Sequence, residues 1–153
     1  MKPGREINRM TRHFDLLPTL TEIAGGVIPD GLDLDGRSLI PLIEDPKSEW
    51  AARDTFFHVG RWAKAGAPIR FSKGDPEPNN NKYEGFAVRN EKWRLVNKRL
   101  FDIINDPGET KDVAGQHPEV VKTLRTSFDG WWEEVRPMMV NEDAPLDLSL
   151  IHI

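Results

Sequence analysis

Four histidines, at positions 13, 58, 117 and 152, and five serines, at 38, 48, 72, 127 and 149, are the side chains of this 153-residue sequence best suited to acid–base or nucleophilic chemistry. No two histidines share a metal-ligand spacing such as H-E-x-x-H, and no serine lies in G-x-S-x-G or S-x-x-K. Neither a Walker loop nor G-x-G-x-x-G occurs. The absence of cysteine removes disulfides, thiolate zinc sites and a cysteine nucleophile together. Asp30, Asp33 and Asp35, followed by Gly36, superficially suggest a calcium loop. With Asp33 and Asp35 as loop positions three and five, position twelve falls on Leu42, where a bidentate Glu is required. Turn chemistry accounts for these aspartates better. His117, before Pro118, reads as a capping or surface residue, and His13, beside Asp15, as structural. His58 stands apart because it lies in the apolar run Thr55-Phe56-Phe57-His58-Val59. It either faces a cleft or is a hydrogen-bonded core histidine. On residues alone, no catalytic constellation is present.

Charge and hydropathy narrow the function classes. With 21 Lys and Arg against 25 Asp and Glu, the net charge is −4, and no basic stripe offers a footprint for nucleic acid. No apolar run approaches the ~18 residues that span a bilayer. The opening Met1-Lys2-Pro3-Gly4-Arg5-Glu6 has no apolar stretch behind its charges and does not read as a signal peptide. The length suits one domain, or one plus an arm, with enough chain to bury a core.

The elements that must position any site follow from periodicity. Leu16, Leu20 and Ile23, widened by Leu17 and Ala24, predict a short amphipathic helix. Asp15 is expected to cap it, Pro18 fits only its first turn, and Gly25-Gly26 supply a left-handed stop. A second apolar piece, Leu39 to Ile43, has Ser38 as cap and Asp45-Pro46 as terminator. Thr55 to Val59 reads as a strand, and residues 64–82 as a long loop. Phe86 and Val88 alternate with Ala87 and Arg89, and Trp93 and Leu95 with Arg94 and Val96, which predicts a hairpin with one apolar face. Arg89 and Arg94 belong to its polar side, facing solvent or paired. A strand at Arg99–Ile103 leads to Asp106-Pro107-Gly108-Glu109, a type II turn by its Pro and Gly positions. Pro118 opens a helix whose stripe of Val120, Val121, Leu124, Phe128, Trp131, Trp132 and Val135 should run until Pro137.

The order of these motifs is informative. His13-Phe14-Asp15-Leu16-Leu17-Pro18-Thr19-Leu20, Ile23-Ala24-Gly25 and Leu34-Asp35-Gly36-Arg37-Ser38-Leu39-Ile40-Pro41-Leu42 resemble the segment linking the two parts of arylsulfatase-type sulfatases. Gly85 to Arg89 with Trp93 to Val96, Leu100 to Ile103 with Asp106 to Thr110, and His117-Pro118-Glu119 before a Trp-rich helix resemble that family's C-terminal subdomain. The resemblance covers roughly residues 2–147. Bacterial members resemble the Phe56 to Trp62 stretch most closely. It implies a large N-terminal α/β domain, alkaline-phosphatase-like, in which calcium and a formylglycine made from C/S-x-P-x-R cleave sulfate esters. This sequence departs from that pattern: it has no Cys, and no Ser has Pro two positions later. The resemblance makes His58, Arg61 and Trp62 candidate substrate-side residues, a donor, a cation and an aromatic platform suited to an anionic sulfate ester. The alternative is that Trp62 fills the subdomain core and Arg61 binds a loop carbonyl.

The expected fold is α+β: about four antiparallel strands packed by a C-terminal helix, preceded by a helical arm. Residues 1–45 would be the arm, the end of the α/β domain. Residues 46–140 would be the C-terminal subdomain and 141–153 an irregular tail, whose Leu148 to Ile153 looks like translated sequencing-adapter read-through. The implied function is the C-terminal fragment of a sulfatase, itself inactive. Its implied partners are the missing catalytic domain and a sulfated small molecule or glycan. The alternatives are a stand-alone module binding sulfated glycans, or a piece of a related phosphodiesterase or phosphomutase. Periplasmic or extracellular placement is implied only by the family.

Overall fold

The computed structural model describes residue 4, residues 6–58 and residues 82–139. The chain divides into two compact units, Met1–Ala52 and Arg53–Ile153.

In the first unit a short 3-10 turn, His13–Asp15, leads into α1, Leu16–Ile23, and α2 follows at Ile40–Glu44. Pro18 sits in the first turn of α1, where its missing N–H costs nothing. The helix stops as expected, with Gly25 at φ +68° and its N–H on the Glu22 carbonyl. Asp15 does not cap α1. Its buried carboxylate instead accepts the Arg12 N–H at 2.8 Å and the Arg37 N–H at 3.1 Å. Thr19, one turn on, donates its hydroxyl to the Asp15 carbonyl at 2.5 Å and accepts the Leu39 N–H at 2.9 Å. A buried acceptor takes whichever donor satisfies it, and here the preceding Arg12 and the distant Arg37 win over the helix's own N–H groups. The Asp15 and Thr19 side of α1 is thereby tied to residues 37–39. Arg37 lies 3.7 Å over the Trp50 ring, whose indole N–H donates to the Met10 carbonyl. Ser38 accepts the Ile40 N–H at the start of α2, and Asp45 is extended at its end.

The second unit holds four antiparallel strands in sequence order: β1 Thr55–Phe57, β2 Ala87–Arg89, β3 Trp93–Val96 and β4 Arg99–Asp102. Val88, Leu95 and Leu100 are aligned across three strands and fully buried, so the alternation read from sequence does set one apolar face. Asn90 closes the β2–β3 turn by accepting the Lys92 and Trp93 N–H groups. Strand β1 ends at Phe57, earlier than expected, and leaves His58 beyond it; Val59 lies outside the described residues. The turn at Asp106 is present, with the Glu109 N–H on the Asp106 carbonyl, but it is not type II. Positive φ falls on Glu109, at 53°, and Gly108 does not have it, whereas type II places it at the third residue.

Helix α3, Pro118–Met139, begins at the expected proline. It continues two residues past Pro137, because a proline deletes only its own N–H bond and strains the preceding turn, so a final half-turn can persist. Its ridge of Leu124, Phe128 and Trp132 buries against Phe86, Val88, Leu95 and Leu100. Sheet and helix cover each other, which a four-stranded sheet needs to persist in water. Gly130 sits exposed in the helix interior, with nothing within 4 Å of where a Cβ would stand. Gly130→Ala should therefore stabilise the second unit by about 0.5–1 kcal/mol through helix propensity alone, seen as a higher denaturant midpoint at unchanged slope.

Candidate functional site

Helix α3 carries two parallel ridges, an apolar one at Leu124, Phe128 and Trp132 and a charged one at Arg125, Asp129 and Glu133, each at i, i+4, i+8. Half-buried His58 turns onto the first, edge-on to Trp132 with centroids 4.9 Å apart and stacked at 6.4 Å on Phe128. Its ring therefore rests against two aromatic residues of the core. Arg61 and Trp62 lie outside the described residues.

Lys82 and Tyr83, the first described residues after 58, meet the same stretch of α3. The Tyr83 hydroxyl donates to Asp129 at 2.6 Å, and Lys82 pairs with that carboxylate at 2.8 Å. The Arg125 guanidinium lies 4.8 Å over the Tyr83 ring, a cation–π distance. Donation to Asp129, helped by burial and by the carboxylate's charge, raises the Tyr83 phenol above its ordinary value. For Asp129, burial pushes upward, but hydrogen bonds from Lys82 and Tyr83 and the charges of Lys82 and Arg125 hold the carboxyl below its usual range. His58 and Tyr83, the last and nearly the first described residues flanking 59–81, are therefore both seated on Phe128, Tyr83 at 6.2 Å.

The sequence reading passed over Lys82, Tyr83, Arg125 and Asp129. The i, i+4 spacing of Arg125, Asp129 and Glu133 was a legible sign of a charged ridge, but nothing local marks Tyr83 as its partner 46 residues away. Arg94 is paired, with both Glu109 carboxylate oxygens. Arg89 is exposed. His117 rests on Trp93 at 4.9 Å, and His13 is exposed and edge-on to Phe14. His152 is outside the described residues.

Three carboxylates, Asp102 and Asp106 half-buried and Asp112 exposed, hold the connection between β4 and α3. Asp102 is lowered chiefly by the Asn105 side-chain amide, Asp106 by the Lys111 N–H and Asp112 by the Ala114 and Leu100 N–H groups. With folded values below the ordinary 3.8, the folded chain binds fewer protons than the unfolded one in that window. Their contribution is present above about pH 4 and is lost as pH falls through the lowered values. Thermal midpoints should accordingly change little between about pH 5 and 7 and drop below about pH 4.

Among the described residues no three His, Asp or Glu side chains converge where they could hold a metal ion. Formylglycine requires a Cys, or a Ser with Pro two positions on, and the sequence has neither. The described residues do not fit calcium and the sequence does not supply formylglycine, and no chemical step runs through either here.

No family model matches the chain. It is similar to arylsulfatase K of Xenopus laevis, 33% identical over 136 residues that take in 84% of this chain and 24% of that protein. Arylsulfatase K of Rattus norvegicus is 29% identical over 132 residues, 81% of this chain and 21% of that protein. A shorter match, 46% over 44 residues, reaches the ulvan-active sulfatase of Formosa agariphila and covers 29% of this chain and 8% of that one. Among solved structures, BT4656 in complex with its substrate D-glucosamine-2-N,6-O-disulfate aligns with a TM-score of 0.50 at 18% identity, over 86% of this chain and 24% of the other. At that identity the likeness is one of fold. The chain spans about a quarter of the length of the arylsulfatase K proteins it matches. Over most of its own length it is a homologue of the sulfatase family, matching a short, C-terminal-like portion of those enzymes.

Proposed function

We propose that the intact protein hydrolyses sulfate esters, aryl sulfate or sulfated glycan, and that this chain supplies its C-terminal, substrate-side portion. The observation that carries the reading is the similarity to arylsulfatase K across 84% of the chain. In this reading residues 1–45 are the end of the catalytic α/β domain, 46–140 form the C-terminal subdomain and 141–153 are a tail. The nucleophile and the calcium belong to the upstream domain. The chain's own contribution is binding: Arg61 offers charge-assisted hydrogen bonds to a sulfate and Trp62 a stacking face for a ring. His58, whose ring rests on Trp132 and Phe128, is the third substrate-side residue, a hydrogen-bond donor for the same group.

Residues 1–153 alone should release no product from an aryl sulfate ester with calcium present, since they lack a nucleophile; turnover above a buffer blank overturns the reading. A polypeptide that continues upstream through C/S-x-P-x-R should turn the ester over. In it, Arg61→Ala and Trp62→Ala should raise KM with kcat little changed, as expected for groups that bind ground state and transition state alike.

A further inference from the structure

Helix α1 presents to water what α3 buries. Leu16, Leu17, Leu20 and Ile23 are 51%, 57%, 60% and 62% exposed, and Leu16, Leu20 and Ile23 repeat at i, i+4, i+7 on one side. This side is not loose. Asp15, hydrogen-bonded to the Arg37 N–H, and Thr19, hydrogen-bonded to the Leu39 N–H, pin the other side of α1, so the leucines are held outward. Eight residues are too few for a helix to persist on propensity in water, and a contiguous apolar patch of this kind marks an interaction surface.

We infer that this stripe is the seam by which the arm packs on the rest of the catalytic domain, within the remaining three quarters or so of the sulfatase upstream, against an apolar face there. The inference rests on the sulfatase reading above. Three observations favour this occupant over a second copy of the chain. The matched relatives are about four times longer than the matched segment. A match to steryl-sulfatase of Rattus norvegicus, 22% identical, takes in 99% of this chain, so the stripe belongs to the shared portion. The only charge within α1 is Glu22, so no ion pairs are offered to register two copies about a symmetry axis.

Hydrogen exchange tests it in two polypeptides, residues 1–153 and the same chain with its in-frame upstream sequence. Amides of residues 20–25 should exchange at least about 10-fold more slowly in the longer polypeptide, and Leu20→Asp should abolish the difference, an Asp in a buried apolar seam being costly. In residues 1–153 the same substitution should leave circular dichroism and the thermal midpoint nearly unchanged, because Leu20 is exposed there; this separates lost docking from misfolding. Equal exchange in both polypeptides, while the longer one hydrolyses an aryl sulfate, overturns the seam and leaves the sulfatase reading standing. Sedimentation of residues 1–153 as a dimer that Leu20→Asp dissolves, with equal exchange in both, assigns the stripe to a second copy and overturns it too. An upstream sequence with no sulfatase domain removes the reading and the seam together.

Discussion

Phe128→Ala should cost the second unit about 3–5 kcal/mol, among the largest losses expected from a single substitution at a described residue. The ring is fully buried, with centroids 4.7 Å from Phe86, 5.4 Å from Trp131 and 6.0 Å from Trp132. Tyr83, His58 and Phe56 pack around it at 6.2, 6.4 and 6.5 Å. Truncation removes the transfer energy of the ring and leaves a cavity walled by rigid aromatics, which relax poorly. Against a total stability of about 5–15 kcal/mol for an ordinary domain, most of the folded population is at stake. Denaturant unfolding followed by tryptophan fluorescence reads this through Trp131 and Trp132. A midpoint within about 1 kcal/mol of wild type would show that the core does not converge on Phe128. Phe128→Leu, which keeps much of the volume, should lose less.

Gly36→Ala is the second large effect, and it acts on the first unit. A Cβ on Gly36 would stand 2.1 Å from the Phe14 carbonyl oxygen, 2.8 Å from its carbon and 3.3 Å from the Asp15 nitrogen. All three are backbone atoms, so no side chain can swing aside. The segments must separate, which pulls the Arg37 N–H from the Asp15 carboxylate. Overpacking of this kind costs about 1–3 kcal/mol, sometimes more. Hydrogen exchange at the Arg37 and Leu39 amides measures it locally: both should lose protection, while the amides of β2 and β3 keep theirs. Unchanged protection at Arg37 would show that the two segments do not need this close approach.

How far each feature could be foreseen depends on the range of the interaction behind it. The ridge of Leu124, Phe128 and Trp132, the alternation around Val88 and Leu95, and the start of α3 at Pro118 were legible because periodicity and proline stereochemistry act within a few residues. Asp15 defeated the local rule. Its donors include an N–H 22 residues away, and no pattern near residue 15 records that. The turn at Asp106 shows the same limit at smaller scale. Its position was set by Pro107 and Gly108, while its type depends on the conformation of Gly108, which does not take the positive φ that its residue type allows.

For the candidate site, the residue types of His58, Arg61 and Trp62 and their family context came from sequence, whereas the contact of the His58 ring with Trp132 and Phe128 came from structure. The sequence by itself determined the elements, the apolar faces and the lack of a formylglycine precursor, since each is written in local pattern or composition, and its resemblance to sulfatases pointed to the family. Only the tertiary structure decided which faces are covered: that of α3 lies on the sheet, while the stripe of α1 remains exposed. An amphipathic period states that a helix must bury one side but not against what, because the partner is chosen by packing across distant segments.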